Sequence, residues 1–314
     1  MKKITALLLG AAMALSLAAC GSSASVSEST ASSEAASSEA ASTEATAETA
    51  GELTTVNAGK LTMSTNAAFP PYEMTADDGS FEGIDIEVAA AIADKLGLKL
   101  QVDDMDFDAA LLAAQTGKSD MVMAGVTVTE DRQTVMDFSD TYANGIQVVI
   151  VPGDSAIATI DDLQGKKIGT QRGTTGYLYC SDTVENGGFG EENVVAYDDA
   201  IAATQALNNG QVDCVVIDSA VADNLVATNP GLTTLETEYT NEDYAIGVAK
   251  GNTALLDAIN AALQELIDDG TVQSIIDKYI PSDGAEADTA GATDEAGATD
   301  EAGATDGAEA DTAA

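Results

Sequence analysis

Residues 60–102 read KLTMSTNAAFPPYEMTADDGSFEGIDIEVAAAIADKLGLKLQV, and the order of patterns inside this stretch decides the fold class. KLTMST (60–65) has the short apolar character of a strand. From Asp85 to Leu96 the period changes. Val88, Ile92 and Leu96 recur at helical spacing, and Gly97 stands where a helix ends in a left-handed turn. LKLQV (98–102) is strand-like again. Strand, helix and strand in one short stretch make a βα unit, with the helix as the crossover between parallel strands.

The alternation continues in both halves of the chain. A helix is expected over Asp106–Gln115, ending at Thr116-Gly117, and DMVMAG (120–125) follows as a third strand. Thr129 is placed to cap the next helix, with Glu130 and Asp131 in its first turn. GIQVVIV (145–151) is the apolar run of a buried strand. The pattern then restarts. KKIGTQ (166–171), NVVAY (193–197) and VDCVVID (212–218) read as strands, followed by helices from Thr174, over Ala200–Asn208 and over Ser219–Thr228. YAIGVAKG (244–251) is a last strand before helices over Thr253–Asp268 and Thr271–Tyr279. This alternation argues for an α/β protein with mainly parallel pairing. The restart argues for two lobes rather than one sheet.

The two ends of the chain differ from this core. Lys2 and Lys3, the apolar run Ile4–Leu17 and the small residues before Cys20 have the order of an export signal, with an apolar run too short to span a bilayer. Leu17-Ala18-Ala19-Cys20 resembles a bacterial lipobox, which implies lipidation at Cys20 and a signal segment over 1–20. No later stretch is long and apolar enough for a transmembrane helix, so anchoring would rest on the lipid. Residues 21–51 are almost all Ser, Ala, Thr and Glu. Such a composition cannot bury enough apolar surface to offset ordering, so a disordered linker spanning roughly 30 Å is expected. Residues 282–314 repeat AGATDE, a unit with no large apolar residue, and are expected to form a solvated acidic tail.

The whole chain carries 53 acidic against 12 basic residues. The core alone keeps 38 acids against 10 bases, so shedding both ends leaves it strongly negative. Such a surface repels phosphate backbones and anionic headgroups, which argues against nucleic-acid partners. The chain contains no histidine, which removes Ser-His and Cys-His nucleophile systems and the commonest zinc ligand. Neither a metal nor a cofactor is expected. Cys180 and Cys214 either form a disulfide, as export allows, or stay as buried thiols; the sequence leaves both open.

In open α/β sheets, ligands bind beyond the carboxyl ends of strands. The residues found there are Asn66 and Phe69, then Phe107, then Gly125, Thr127 and Arg132, then Gln171, Thr174 and Thr175, and finally Asp218. The set has one strong cation, one strong anion, two aromatic walls, and hydroxyls at helix starts. It is the complement of a free amino acid.

Eight motifs then stand in order: NAAFPPYE, GSFEGIDIEVAAAIADKLG, FDAALLAAQTGKSDMVMAGVTVTEDR, DFSDTY, GKKIGTQRGTTG, VDCVVID, YAIGVAKGN and LIDDGTVQSIIDKYI. Together they resemble the extracellular solute-binding proteins of family 3, which serve ABC importers of polar amino acids. The resemblance implies a two-lobed periplasmic-binding-protein-like fold of type II, with two βα lobes joined by two hinge strands. Lobe 1 would span 52–141 and 245–281, lobe 2 would span 142–244, and the crossings would fall near 142–146 and 240–244. It implies that Arg132 grips the ligand α-carboxylate, helped by N–H groups at Thr174 and Thr175. Gly125 and Thr127 would contact the α-amino and carboxylate groups, Asp218 would pair with the α-ammonium, and Phe69 and Phe107 would flank the side chain. A monomeric, lipid-anchored protein on the extracytoplasmic face of the cell membrane, handing its ligand to ABC permease subunits, is the expectation.

Where relatives that bind cations often carry an acid, this chain has Asn66. An amide suits a neutral polar side chain, because a buried cation wants a charge partner, so a glutamine-like ligand is expected. Gln171 takes a variable position beside Arg172, and Arg172 is expected to face outward; turned inward, it would admit an acidic ligand. Two other functions fit the same scaffold. One is a ligand-sensing lipoprotein that works with a separate receptor. The other is a dehydratase-type enzyme, whose proton transfer would fall to Glu73, Asp218 or a lysine. No enzyme activity is expected.

Overall fold

The computed structural model describes residues 53–235 and 239–281. The signal segment, Cys20, the linker and the acidic tail lie outside the described residues. The chain begins with β1 (Lys60–Thr65), a small antiparallel sheet of β2 (Ala68–Phe69), β3 (Glu73–Thr75) and β4 (Phe81–Glu82), α1 (Ile84–Lys95) and β5 (Lys99–Asp104). α2 (Phe107–Gln115), β6 (Met121–Val122), α3 (Glu130–Val135) and the 17-residue β7 (Met136–Pro152) follow. Next come β8 (Ile168–Gln171), α4 (Thr175–Ser181), β9 (Val194–Tyr197), α5 (Ala200–Asn208), β10 (Cys214–Asp218), α6 (Ser219–Thr228) and β11 (Leu232–Thr234). β12 (Thr240–Ala249), α7 (Thr253–Asp268) and α8 (Thr271–Tyr279) complete it.

The main sheet has the order β5-β1-β6-β12-β7-β10-β8-β9, with β11 paired to β7. β5, β1 and β6 run parallel in the first half, as do β10, β8 and β9 in the second. Between them β7 and β12 are antiparallel to each other and to their neighbours. The α/β architecture in two βα halves is as expected, and the pairing joins those halves in one sheet. The ladder is unbroken, because β7 bonds β12 along Met136–Gln147 and then β10 along Gln147–Ile150. One strand thus serves both halves. The register of β7 against β12 slips between Tyr244 and Ala245, so the crossing is irregular where it passes the centre.

One apolar cluster runs through both halves, joining Leu61 and Ile92 to Ile150, Leu207 and Val215, and a second lies within the second half alone. In the first, Leu61 and Met63 of β1 and Val88 and Ile92 of α1 are fully buried, in one cluster with Leu255, Ile259 and Leu263 of α7. In the second, Val149, Leu163, Ile168 and Val216 enclose Cys180 and Cys214, which are both free thiols. Burial pushes both thiols up, Cys214 to about 12, so neither is a ready nucleophile.

Gly83 fixes the entry to α1. Its φ of +126° and ψ of 174° lie in a region essentially reserved for glycine. A Cβ there would stand 2.3 Å from the Tyr72 carbonyl oxygen, which is main chain and cannot swing aside. Gly83→Ala is expected to destabilise the protein by about 2 kcal/mol, read as a lower denaturant midpoint. An unchanged midpoint would contradict this account of the turn.

Candidate functional site

One cavity lies where the halves meet, and all ten residues selected from the sequence line it: Asn66, Phe69, Phe107, Gly125, Thr127, Arg132, Gln171, Thr174, Thr175 and Asp218. The empty space among these residues, open solvent at the mouth included, is about 430 Å³. Asn66, Phe107, Gly125 and Thr127 follow β1, β5 and β6, Phe69 ends β2 and Arg132 lies in α3, while the last four come from the ends of β8 and β10. Parallel strands in each half aim their carboxyl ends at the same gap.

Arg132 is the one basic residue among those that line the cavity. The Thr129 hydroxyl accepts its backbone N–H at 3.2 Å, as a helix cap should, and starts α3 so that the guanidinium points back into the gap. Nη1 donates to the Thr127 carbonyl at 2.7 Å and Nη2 to the Gly173 carbonyl at 3.1 Å. Thr127 lies in the first half and Gly173 in the second, so this one side chain spans the gap. A guanidinium has five N–H donors, and two are used here. The plane lies over Phe107, 5.4 Å from the ring centroid. Burial pushes its pKa down, and the field of Glu242 opposes that shift.

Gly173 marks how closely the halves approach. Its φ is +73°, and a Cβ would sit 1.7 Å from Asp108 Oδ1 on the opposite half. Gly173→Ala is therefore expected to hold the halves apart and to weaken ligand binding more than tenfold, as calorimetry would register. Wild-type affinity in that variant would show that the close approach plays no part.

Asp218 ends β10 and also caps α6, accepting the Ala220 N–H at 3.0 Å. Its other oxygen accepts the Tyr244 hydroxyl at 2.8 Å and the Ile146 N–H at 3.1 Å. Three of about four acceptor positions are filled, which leaves room for one more donor. Burial raises its pKa to about 6 against the pull of these bonds. Behind it, Asp85 accepts the Tyr142 hydroxyl at 2.7 Å and the Gly125 N–H at 2.9 Å, and its pKa is also raised to about 6. Glu73 lies against Asp85, fully enclosed, and its carboxyl is held well above the ordinary range by burial first and by Asp85 second.

The remaining wall is amide-rich. Gln171 Nε2 donates to Asn66 Oδ1 at 2.9 Å across the gap. Arg172, its neighbour, faces outward as expected: its Nη2 lies 3.3 Å from the Ala196 carbonyl and 3.5 Å from Asp198, and its side chain is 55% exposed. Thr174 caps α4 through its hydroxyl, and Thr175 opens that helix with an N–H that has no intrahelical acceptor.

Four polar lining residues were not selected for the site from sequence: Glu73, Gln147, Glu242 and Tyr244. Three of them sit on the crossing strands β7 and β12, mid-strand rather than at a strand end, and the strand-end rule passes over such positions. A signal was present for one: Gln147 is the single polar side chain inside GIQVVIV.

The model of the bacterial extracellular solute-binding proteins, family 3, matches residues 61–282. The chain is 34% identical over 237 residues to a probable histidine-binding protein of Neisseria gonorrhoeae, covering 74% of this chain and 87% of that one. Among solved structures it is 41% identical to an ancestral arginine-binding protein bound to arginine, with a TM-score of 0.66 over 71% of this chain and 98% of that one. An ancestral arginine-binding protein bound to glutamine gives 40% identity and a TM-score of 0.66, over 71% and 99%.

Proposed function

The chain belongs to the bacterial extracellular solute-binding proteins, family 3, and from that premise we propose that it captures a free polar amino acid between its two halves and delivers it to an ABC permease. The observation that carries this reading is the placement of Arg132 and Asp218. Both are buried, they come from opposite halves, and they line one cavity. A zwitterion has one carboxylate for the guanidinium and one ammonium for the carboxyl group. Charge-assisted hydrogen bonds at both ends, about 1.5–3 kcal/mol each, bring a micromolar constant of about 8 kcal/mol within reach once the side chain is also enclosed.

The rest of the cycle follows from this reading. Lobe 1 comprises 52–141 with 245–281, lobe 2 comprises 142–244, and the hinge comprises 142–146 and 240–244, which pair with each other. Opening at the hinge separates Arg132 from Gly173 and Asn66 from Gln171. The ligand enters, and these contacts re-form around it. Phe69 and Phe107 flank its side chain, and the amides of Asn66 and Gln171 meet its polar end. A side chain with N–H donors fits there, the amide of glutamine among them. Lipid on Cys20 keeps the protein at the extracytoplasmic face of the membrane, beside the permease. No chemical step is assigned to the site.

Thermal melting of the full chain with each of the twenty amino acids tests the proposal. Ligand bound only to the folded state must raise the midpoint. At least one polar amino acid is expected to do so at millimolar concentration; a midpoint unmoved by all twenty would refute the reading.

A further inference from the structure

Tyr244 is 1% exposed and lines the cavity from β12. Its main chain is tied to the first half: it bridges to Thr127, and the N–H of the next residue, Ala245, donates to the Val126 carbonyl at 3.1 Å. Its side chain reaches the second half, where the hydroxyl donates to Asp218 Oδ2 at 2.8 Å. The same oxygen accepts the Ile146 N–H from β7 at 3.1 Å, while Oδ1 stays with the α6 cap. The carboxylate is therefore held on one side by its own half and on the other by the two crossing strands. The Tyr244 ring stands edge-on to Tyr72, with centroids 5.3 Å apart. Burial first and the Asp218 charge second keep the proton on its phenol.

A neighbouring glycine makes this bond possible. A Cβ on Gly145 of β7 would stand 2.5 Å from both Cζ and Oη of Tyr244 and 2.6 Å from Asp218 Oδ2. Gly145 has no left-handed φ, so space rather than backbone conformation excludes a side chain here. The slip in the β7–β12 register falls directly after Tyr244. Hydroxyl, carboxylate and glycine thus meet where the ladder between the halves is irregular.

We propose that Tyr244 is a positioning residue: its hydroxyl, admitted by Gly145, fixes Asp218 toward the ligand ammonium and ties that carboxylate to the first half. The inference rests on the amino-acid-binding reading above and deepens it. A hydrogen bond donated to a carboxylate also favours its ionised form, so the loss of this bond shows most where Asp218 titrates. The other ionisable groups around Asp218 are Tyr72 and Glu73, with Asp85 and Tyr142 behind them, and Arg132 and Glu242 in the cavity wall. All of them are unchanged in the variants below, so comparison with the wild type isolates the hydroxyl.

Calorimetry on the full chain, wild type and Tyr244→Phe, tests this, with the amino acid that most raises the melting midpoint in the screen of twenty as the probe. Phenylalanine keeps the ring and removes one oxygen. The affinity ratio of wild type to Tyr244→Phe is expected to be at least about threefold larger at about pH 5.5 than at about pH 8, because without the hydroxyl the carboxylate takes up its proton at a higher pH. Gly145→Ala, whose methyl group would occupy the place of the hydroxyl, is expected to lose affinity in the same pH-dependent way. Wild-type affinity at both pH values in Tyr244→Phe would overturn the inference and leave the amino-acid-binding reading standing. A loss of the same size at both pH values would also overturn it, since a purely structural role gives that result. If Tyr244→Phe does not fold, Gly145→Ala decides alone, and wild-type affinity at the lower pH in that variant would overturn the inference. Should none of the twenty amino acids raise the wild-type midpoint, both readings fall together.

Discussion

Arg132→Ala is expected to cost about 3 kcal/mol or more of amino acid affinity, which is roughly a 150-fold rise in Kd. The magnitude follows from burial. Only 8% of Arg132 is exposed, and it is the one cation in the cavity lining. Without it a ligand carboxylate would enter a water-poor space with neutral donors only. The substitution also removes the guanidinium bridge from Thr127 to Gly173, so closure loses one of its cross-gap contacts. Arg132→Lys is expected to fall between the two, because an ammonium keeps the charge and loses the planar fork. Calorimetry on the three proteins reads the series directly. Affinity in Arg132→Ala within threefold of wild type would remove this residue from the site.

Asp218 carries the second large effect. Its carboxyl titrates near pH 6 in the free protein because burial outweighs the hydrogen bonds that favour its charged form. An ammonium partner binds the ionised form, so the ligand must lower this pKa. Affinity should then be full above about pH 6 and fall as pH drops through it, by up to tenfold per unit, until the carboxyl of the complex also takes up a proton. Asp218→Asn fixes the neutral form at every pH. It is expected to lose about 3 kcal/mol of affinity at pH 7.5 and to flatten the profile between pH 5 and 7. Asp85 titrates in the same range, so the flattening in Asp218→Asn, rather than the wild-type slope alone, assigns the effect. Equal slopes in both proteins would move the titration elsewhere. The amide oxygen of the substituted side chain can keep the Tyr244 and Ile146 donors only if its NH2 faces the Ala220 N–H, so the α6 cap is lost, and a melting curve of Asp218→Asn must accompany its affinity.

Much of the architecture was legible in the order of periods. β1, α5, α6, α7 and α8 occupy the residues that their patterns predict. Each is either an apolar run beside glycine or an apolar stripe between a capping residue and a stop. Thr129 and Thr174 cap as their positions suggest. What escaped was the sheet's middle. Met136–Thr141 shows no apolar alternation and was given no element, yet it is strand, because β12 supplies a hydrogen-bonding partner over most of its length. DMVMAG yields only two residues of strand at Met121–Val122, and β2, β3 and β4 are two or three residues long with no alternation to detect. Long-range pairing decided these segments, and local sequence does not encode it.

The site divides along the same line. Residues at strand ends and helix starts were found because those places have a general reason to bind anions and small polar ligands. Glu242 and Tyr244 were not, because they face the cavity from the middle of a strand whose partner lies about a hundred residues earlier. Asp218 shows that the modest reading and the functional one need not compete. It caps α6 with one oxygen and lines the cavity as well.

A crystal structure of the protein grown with the amino acid that gives the largest thermal shift would test the central claim most directly. The account predicts the ligand α-carboxylate on the Arg132 guanidinium and the α-ammonium within hydrogen-bond distance of Asp218, with its side chain between Phe69 and Phe107. A ligand bound outside this cavity, or inside it with neither terminus on Arg132 or Asp218, would contradict it.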